Sequence, residues 1–223
     1  MLKKILSYLI PMNVFQKESV LSKNLEITWN NGELVLDSKN TNYSYGSLQR
    51  VLRTGLKAIG HEKIVSMQNI LVLGVAGGSV IKVLSHEIGY KGKITGVEID
   101  RSIIELANTY FHLNKIPNLE IIITDAFDFV MKSEEKYNLV IVDIFQDNLM
   151  PDFLFSDDFI RRIPFLLKKQ GTILFNTMIV NKNDVGRNRE YIAKFAELQF
   201  KTTALPRLEG HNELILLEKL SEK

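Results

Sequence analysis

The 223-residue chain has no cysteine. That single absence excludes disulfides, thiolate metal ligands, iron–sulfur clusters and a cysteine nucleophile, and leaves the cellular compartment open. Excess charge of one sign is missing as well: 28 basic against 26 acidic side chains give a formal net charge of +2. Composition therefore gives no case for nucleic acid or an anionic membrane as partner. Long apolar runs are also lacking, since no stretch approaches the roughly 18 apolar residues that span a bilayer. Met1-Leu2-Lys3-Lys4 and the apolar Ile5 to Ile10 have the outline of a signal peptide, but Pro11 interrupts them and no small-x-small cleavage site follows. The expectation is a short surface helix on a soluble, cytoplasmic protein. The four histidines, at 61, 86, 112 and 211, show no metal-ligand spacing and no HExxH motif, so no metal is expected.

What is present is an ordinary globular composition, 45% apolar and 24% charged. The length suits one sizeable α/β domain with a small appendage. From residue 70 onward, short apolar runs alternate with helical patterns. The runs are Ile70 to Leu73, Lys93 to Glu98, Leu119 to Ile123, Leu139 to Asp143 and Gly171 to Phe175. Helical patterns separate them at Ser79 to Ile88, Arg101 to Leu113 and Phe155 to Lys168. Val- and Ile-rich runs spaced in this way predict βαβ units around a parallel sheet covered on both faces. A further helix over Asp184 to Leu198 and strands at Phe200 to Leu205 and Glu213 to Leu217 predict a closing hairpin.

Residues 1–60 form a separate N-terminal piece. Leu25 to Trp29 and Glu33 to Leu36 flank Asn30-Asn31-Gly32, a hairpin signal, and a helix follows from Gly46 to Ile59. This piece is too small for a core of its own and is expected to pack on the domain formed by 61–223, with Trp29 at the contact.

In an open parallel sheet, ligands bind at the carboxyl ends of the strands. The first strand ends in Gly74-Val75-Ala76-Gly77-Gly78-Ser79, directly before a helix. Its glycines allow close backbone approach and the helix start offers free N–H groups, yet the spacing fits neither the G-x-G-x-x-G pattern nor the phosphate loop ending in Gly-Lys-Ser/Thr. Glu98 ends the second strand 24 positions after Gly74, where a carboxylate either accepts both hydroxyls of a ribose or stands as a solvent-exposed strand-end acid. Asp100 reads as the cap of the next helix. Asp125, after the third strand, either accepts from an exocyclic amine such as adenine's or caps the helix behind it. Asp143 ends the fourth strand and is placed to orient and deprotonate a nucleophile.

Taken together, Leu71 to Ser79, Val97-Glu98-Ile99-Asp100, Thr124-Asp125-Ala126 and Val140 to Asp143 resemble the spermidine-synthase-like family, a branch of the class I S-adenosylmethionine-dependent methyltransferase fold. Leu34 to Asp37 and Tyr43-Ser44-Tyr45 are similar to its N-terminal hairpin and tyrosine segment. The resemblance implies a Rossmann-like, seven-stranded, mostly parallel sheet whose last strand is antiparallel. It implies that Gly74, Gly77 and Gly78 line the methionine-derived part of the co-substrate, that Glu98 holds the ribose, and that Asp125 and Ala126 hold the adenine. Asp143 would then serve the reacting amine and Tyr45 the acceptor side. The implied co-substrate is S-adenosylmethionine or its decarboxylated form, the partner a small amine or other small acceptor, and the assembly a homodimer.

Three departures stand beside this likeness. Polyamine-forming members carry an acid in the glycine loop, where Gly77 stands here. They show two acids three apart after the fourth strand, whereas Asp143 and Asp147 are four apart. The acidic pair expected before Tyr45 is replaced by Thr41-Asn42-Tyr43. Aminopropyl transfer leads the readings, methyl transfer follows, and a non-catalytic nucleotide binder is third.

Overall fold

A computed structural model describes residues 2–19, 24–38, 42–44, 46–146 and 149–220. Helix α1 (Leu2–Leu6) leads into β1 (Met12–Lys17), β2 (Leu25–Asn30), β3 (Glu33–Ser38) and β4 (Asn42–Ser44), an antiparallel sheet in sequence order. The hairpin read from sequence is β2–β3. Asn30 pairs with Glu33 across Asn31 and Gly32, whose φ values of 48° and 78° match the strand twist of a two-residue turn. Strands β1 and β4 enlarge that hairpin to four strands. The β1 segment lacks a clean apolar alternation, and its register slips between Asn13 and Phe15.

Helices α2 (Ser47–Ile59) and α3 (His61–Val65) bring the chain to the large sheet. There follow β5 (Asn69–Leu73), α4 (Ser79–Lys82), β6 (Lys93–Glu98), α5 (Arg101–Phe111), β7 (Leu119–Ile123), α6 (Ala126–Lys132), β8 (Tyr137–Val142), α7 (Asp157–Arg162), β9 (Leu167–Met178), α8 (Lys182–Glu197), β10 (Phe200–Leu208) and β11 (Asn212–Lys219). The strand order is β10-β11-β9-β8-β5-β6-β7. The five strands from β9 to β7 run parallel, and β11 is antiparallel to both of its neighbours. This is the doubly wound, seven-stranded arrangement that the sequence predicts.

Local details differ for identifiable reasons. The stretch read as one helix from Ser79 is α-helical only to Lys82 and π-helical from Val83 to Glu87. The helical pattern after Phe155 breaks into α7 and a 3₁₀ turn, Ile163–Leu166, with Pro164 in its first turn. Strand β9 begins at Leu167, ahead of Gly171, because Tyr137 pairs with Leu167 and Leu139 with Thr172, leaving a bulge in which Gln170 has φ 57°.

Side-chain alternation along the strands builds two cores. Ile70, Val72, Ile94, Ile141, Leu174 and Leu214 face α2 and α4, whose Leu52, Leu56, Val80 and Ile81 join them. Leu71, Leu73, Val140, Val142, Phe175 and Ile215 face α7 and α8, which supply Phe159, Ile160, Tyr191 and Phe195. Helix α5 is apolar on two sides. Its Ile104 and Ala107 belong to the first core, while Ile103, Leu106 and Phe111 pack on Leu25, Ile27, Val35 and Leu36 of the N-terminal sheet. These residues, rather than Trp29, form the buried cluster at the contact the sequence anticipates; the centroid of the Trp29 ring lies 5.3 Å from the Lys4 ammonium of α1.

Candidate active site

The topology reverses between β5 and β8, since the chain winds from β5 toward β7 and from β8 toward β10. Such a switch point opens a crevice at the strands' carboxyl ends. An open cleft lies there, enclosing about 860 Å³ when the open solvent in front of it is included. Gly74, Glu98, Asp125, Ala126 and Asp143, drawn from four strand ends, all border it. Gly74 has φ +86°, and a Cβ on it would collide with the main-chain carbonyl of Asp143. Only glycine allows the two strand ends to approach so closely.

Glu98 is 8% exposed and its carboxylate is turned toward the backbone. Oε2 accepts from the N–H groups of Val75 (3.1 Å) and Ala76 (3.0 Å). Oε1 accepts from Ile99 (2.9 Å) and Asp100 (3.1 Å). Four donors fill the four lone-pair directions of a carboxylate. Burial pushes the Glu98 carboxyl above its ordinary value, and the four N–H groups oppose that shift. The glycine loop is thus shaped from below by the acid that ends the next strand, and Ala76 holds φ 46° within it.

Asp100 caps α5 as expected, accepting from Ser102 N–H at 2.8 Å. Its other oxygen accepts from the Ser19 hydroxyl, which ties the N-terminal segment to the cavity wall. Asp125 caps α6, accepting from the Asp128 N–H at 3.0 Å, and also borders the cavity. Burial raises Asp143 to a pKa of about 6, against the opposing effect of a 2.8 Å hydrogen bond from Asn176 Nδ2.

Gly77 and Gly78 do not border the cavity; Gly78 opens α4 in a left-handed conformation against Leu113. Tyr45 and Asp147 fall outside the described residues. Sequence reading missed the apolar wall of Leu48, Ile144, Phe145, Pro151 and Phe153, which sits in a helix start and a loop without periodicity. It also missed Asn176, a polar residue at the end of an apolar strand. Among the described residues, no three His, Asp or Glu side chains are grouped to hold a metal ion, and no helix is long and apolar enough to cross a membrane.

The strand order, the glycine loop and the acids at successive strand ends define the class I S-adenosylmethionine-dependent methyltransferase fold. Residues 52–219 match the spermine/spermidine synthase domain, and the chain belongs to that family. The polyamine aminopropyltransferase of Buchnera aphidicola is 29% identical over 152 residues, covering 65% of this chain and 53% of that protein. The chain thus spans about half the length of this relative. In fold it is similar to spermidine synthase from Thermotoga maritima, with a TM-score of 0.69 and 18% identity over 95% of this chain and 74% of that one. It is also similar to human methyltransferase-like protein 13 in complex with SAH, with a TM-score of 0.67 and 20% identity over 80% and 85% of the two chains.

Proposed function

We propose that the protein is a transferase that moves an aminopropyl or related alkyl group from a sulfonium nucleoside, such as decarboxylated S-adenosylmethionine, to a small amine. The observation that carries this reading is the convergence of Glu98, Asp125 and Asp143 on one cavity, with Asp143 half-buried and its pKa near 6. An alkylammonium near pKa ~10.4 is not nucleophilic until it loses a proton. Asp143 accepts that proton. The freed amine nitrogen attacks the carbon next to sulfur, a C–N bond forms, the C–S bond breaks, and its electron pair leaves with methylthioadenosine. A sulfonium is already an activated leaving group, so the chemistry needs no metal.

In this reading Glu98 receives the ribose hydroxyls, which share or replace its bonds to the Ile99 and Asp100 amides, and Asp125 with Ala126 borders the adenine. Gly74 leaves room for the chain attached to sulfur, with Gly77 and Gly78 shaping the loop behind it, and Tyr45 serves the acceptor. Gly77, standing where the family's loop acid would face the donor's amine, favours a second reading: methyl transfer from intact S-adenosylmethionine.

Calorimetric titration with decarboxylated and intact S-adenosylmethionine, side by side, tests the choice. Tighter binding of the decarboxylated donor, with methylthioadenosine formed on adding amines, is the expected result. Tighter binding of the intact donor, with S-adenosylhomocysteine as product, makes methyl transfer the function. Binding of neither refutes both readings.

A further inference from the structure

The buried end of β9 carries a polar side chain that no motif marks. Asn176 has no exposed surface. Its Nδ2 donates to Asp143 Oδ1 at 2.8 Å, and its own Oδ1 accepts from Nδ2 of Asn212, at the start of β11, at 3.0 Å. An amide has one donor end and one acceptor end, so the second bond fixes the sense of the first. With Asn212 donating into Oδ1, the Asn176 NH₂ must face the carboxylate. Turned over, Asn176 would set its carbonyl oxygen against an anion and an NH₂ group against another NH₂, and both bonds would be lost.

We propose that Asn176, oriented by Asn212, is a positioning residue that pins Oδ1 of Asp143 and leaves Oδ2 as the oxygen that takes the substrate's proton. Among the described residues Asn176 is the one hydrogen-bond partner of the Asp143 side chain, so nothing else there sets its rotation. Three strands that the sequence separates widely, β8, β9 and β11, thereby meet in one line of side chains, made possible because β9 lies between the other two in the sheet. The arrangement also opposes the effect of burial, which would otherwise keep Asp143 protonated to higher pH. The other ionisable groups on the cavity wall, Glu98, Asp100 and Asp125, are all acids on neighbouring strand ends and are the same in every variant described next.

The proposal rests on the reading of Asp143 as the base, and its test separates the two. Carbon-13 NMR of aspartate-labelled protein follows the Asp143 carboxyl in the absence of any substrate, with Asp143→Asn assigning the resonance. The wild type is expected to titrate near pH 6. Asn176→Leu should raise that midpoint by about one unit, the size expected when a charge-assisted hydrogen bond is lost. Asn212→Ala, which touches neither the carboxylate nor the cavity wall, should raise it by a smaller amount. If Asn176→Leu does not fold, Asn176→Ser and Asn212→Ala provide the same comparison. In turnover, both changes should lower kcat with the donor's KM little altered, and should move the acid limb of the pH profile upward. An Asp143 midpoint unmoved by both substitutions, or unmoved by Asn212→Ala, overturns the relay. A midpoint that moves in a protein with no transferase activity upholds the relay and removes the function assigned above.

Discussion

Gly74 and Asp143 touch through the backbone: the carbonyl of Asp143 occupies the place where any side chain at position 74 would begin. The contact is reinforced on both sides, because Gly74 N–H donates to Val97 O at 3.0 Å and Asp143 N–H donates to Leu73 O at 2.9 Å. The first glycine of the loop and the proposed base are therefore parts of one rigid junction. Gly74→Ala adds a clash to a φ of +86° that L-residues avoid. It should destabilise the protein by about 3 kcal/mol or more and abolish nucleotide binding. Thermal melts and calorimetry on the same preparation check this; an alanine variant with normal affinity would show that the junction can widen freely.

Asp143 gives opposite pH signatures in stability and in activity. Its pKa is raised from 3.8 to about 6, so between these values the unfolded chain has released a proton that the folded protein retains. Stability contributed by this group is complete below the unfolded value and is lost as pH rises toward 6. Above that, the partly desolvated charge costs on the order of 3 kcal/mol. Asp143→Asn should thus melt higher than the wild type at pH 7 to 8 and converge with it near pH 4. In the proposed mechanism turnover requires the charged form, so wild-type kcat should fall below about pH 6. The Asn variant should bind donor normally and not turn over; full activity in it would remove Asp143 from the mechanism.

Replacing Glu98 tests the loop and the nucleotide together. Glu98→Ala leaves four backbone N–H groups without their acceptor, and Glu98→Gln turns an NH₂ group against two of them. Each variant should lose about 1–3 kcal/mol of stability and weaken nucleotide binding at least tenfold, alanine the more severely. Unchanged affinity in Glu98→Ala would undo the ribose assignment.

Tyr191 offers a gain. Its hydroxyl is buried in the aromatic cluster of Phe155, Phe175 and Phe195 and has no hydrogen-bond partner among the described residues. Tyr191→Phe removes a stranded polar group without changing ring packing. The melting temperature should rise by roughly 2–4 °C, with activity unaltered. A lower melting temperature would contradict the stranded hydroxyl.

The parallel sheet was legible in the sequence because β5, β6, β7 and β8 are Val- and Ile-rich runs, each followed by a glycine turn or an acid. Glu98, Asp125 and Asp143 were legible for the same reason: a charge placed directly after such a run lies at the sheet edge where ligands bind. Asn176 carried no such mark, since an uncharged polar residue at a strand end acquires meaning only when β9 is seen beside β8. The conformation of Glu98 was equally hidden. Its chemistry suggested a ligand, but which donors reach it depends on how the Val75–Ala76 backbone turns. Leu48 and Phe153 come from α2 and from a 3₁₀ turn, Asp152–Phe155, that only the folded chain brings to one wall.

The bond between Ser19 and Asp100 has a consequence for how the protein responds to its ligand. The Asp100 main chain donates to Glu98, while its side chain holds Ser19, just past the end of β1. A nucleotide that exchanges bonds with Glu98 therefore acts close to the clasp on the N-terminal sheet. Free-energy coupling of this kind is reciprocal. Loading the cavity should slow amide hydrogen exchange in β1 and β2, and loosening that sheet should raise the nucleotide's dissociation constant by the same factor. If the proposed nucleotide binds in this way, exchange in the small sheet would report whether the large one is occupied.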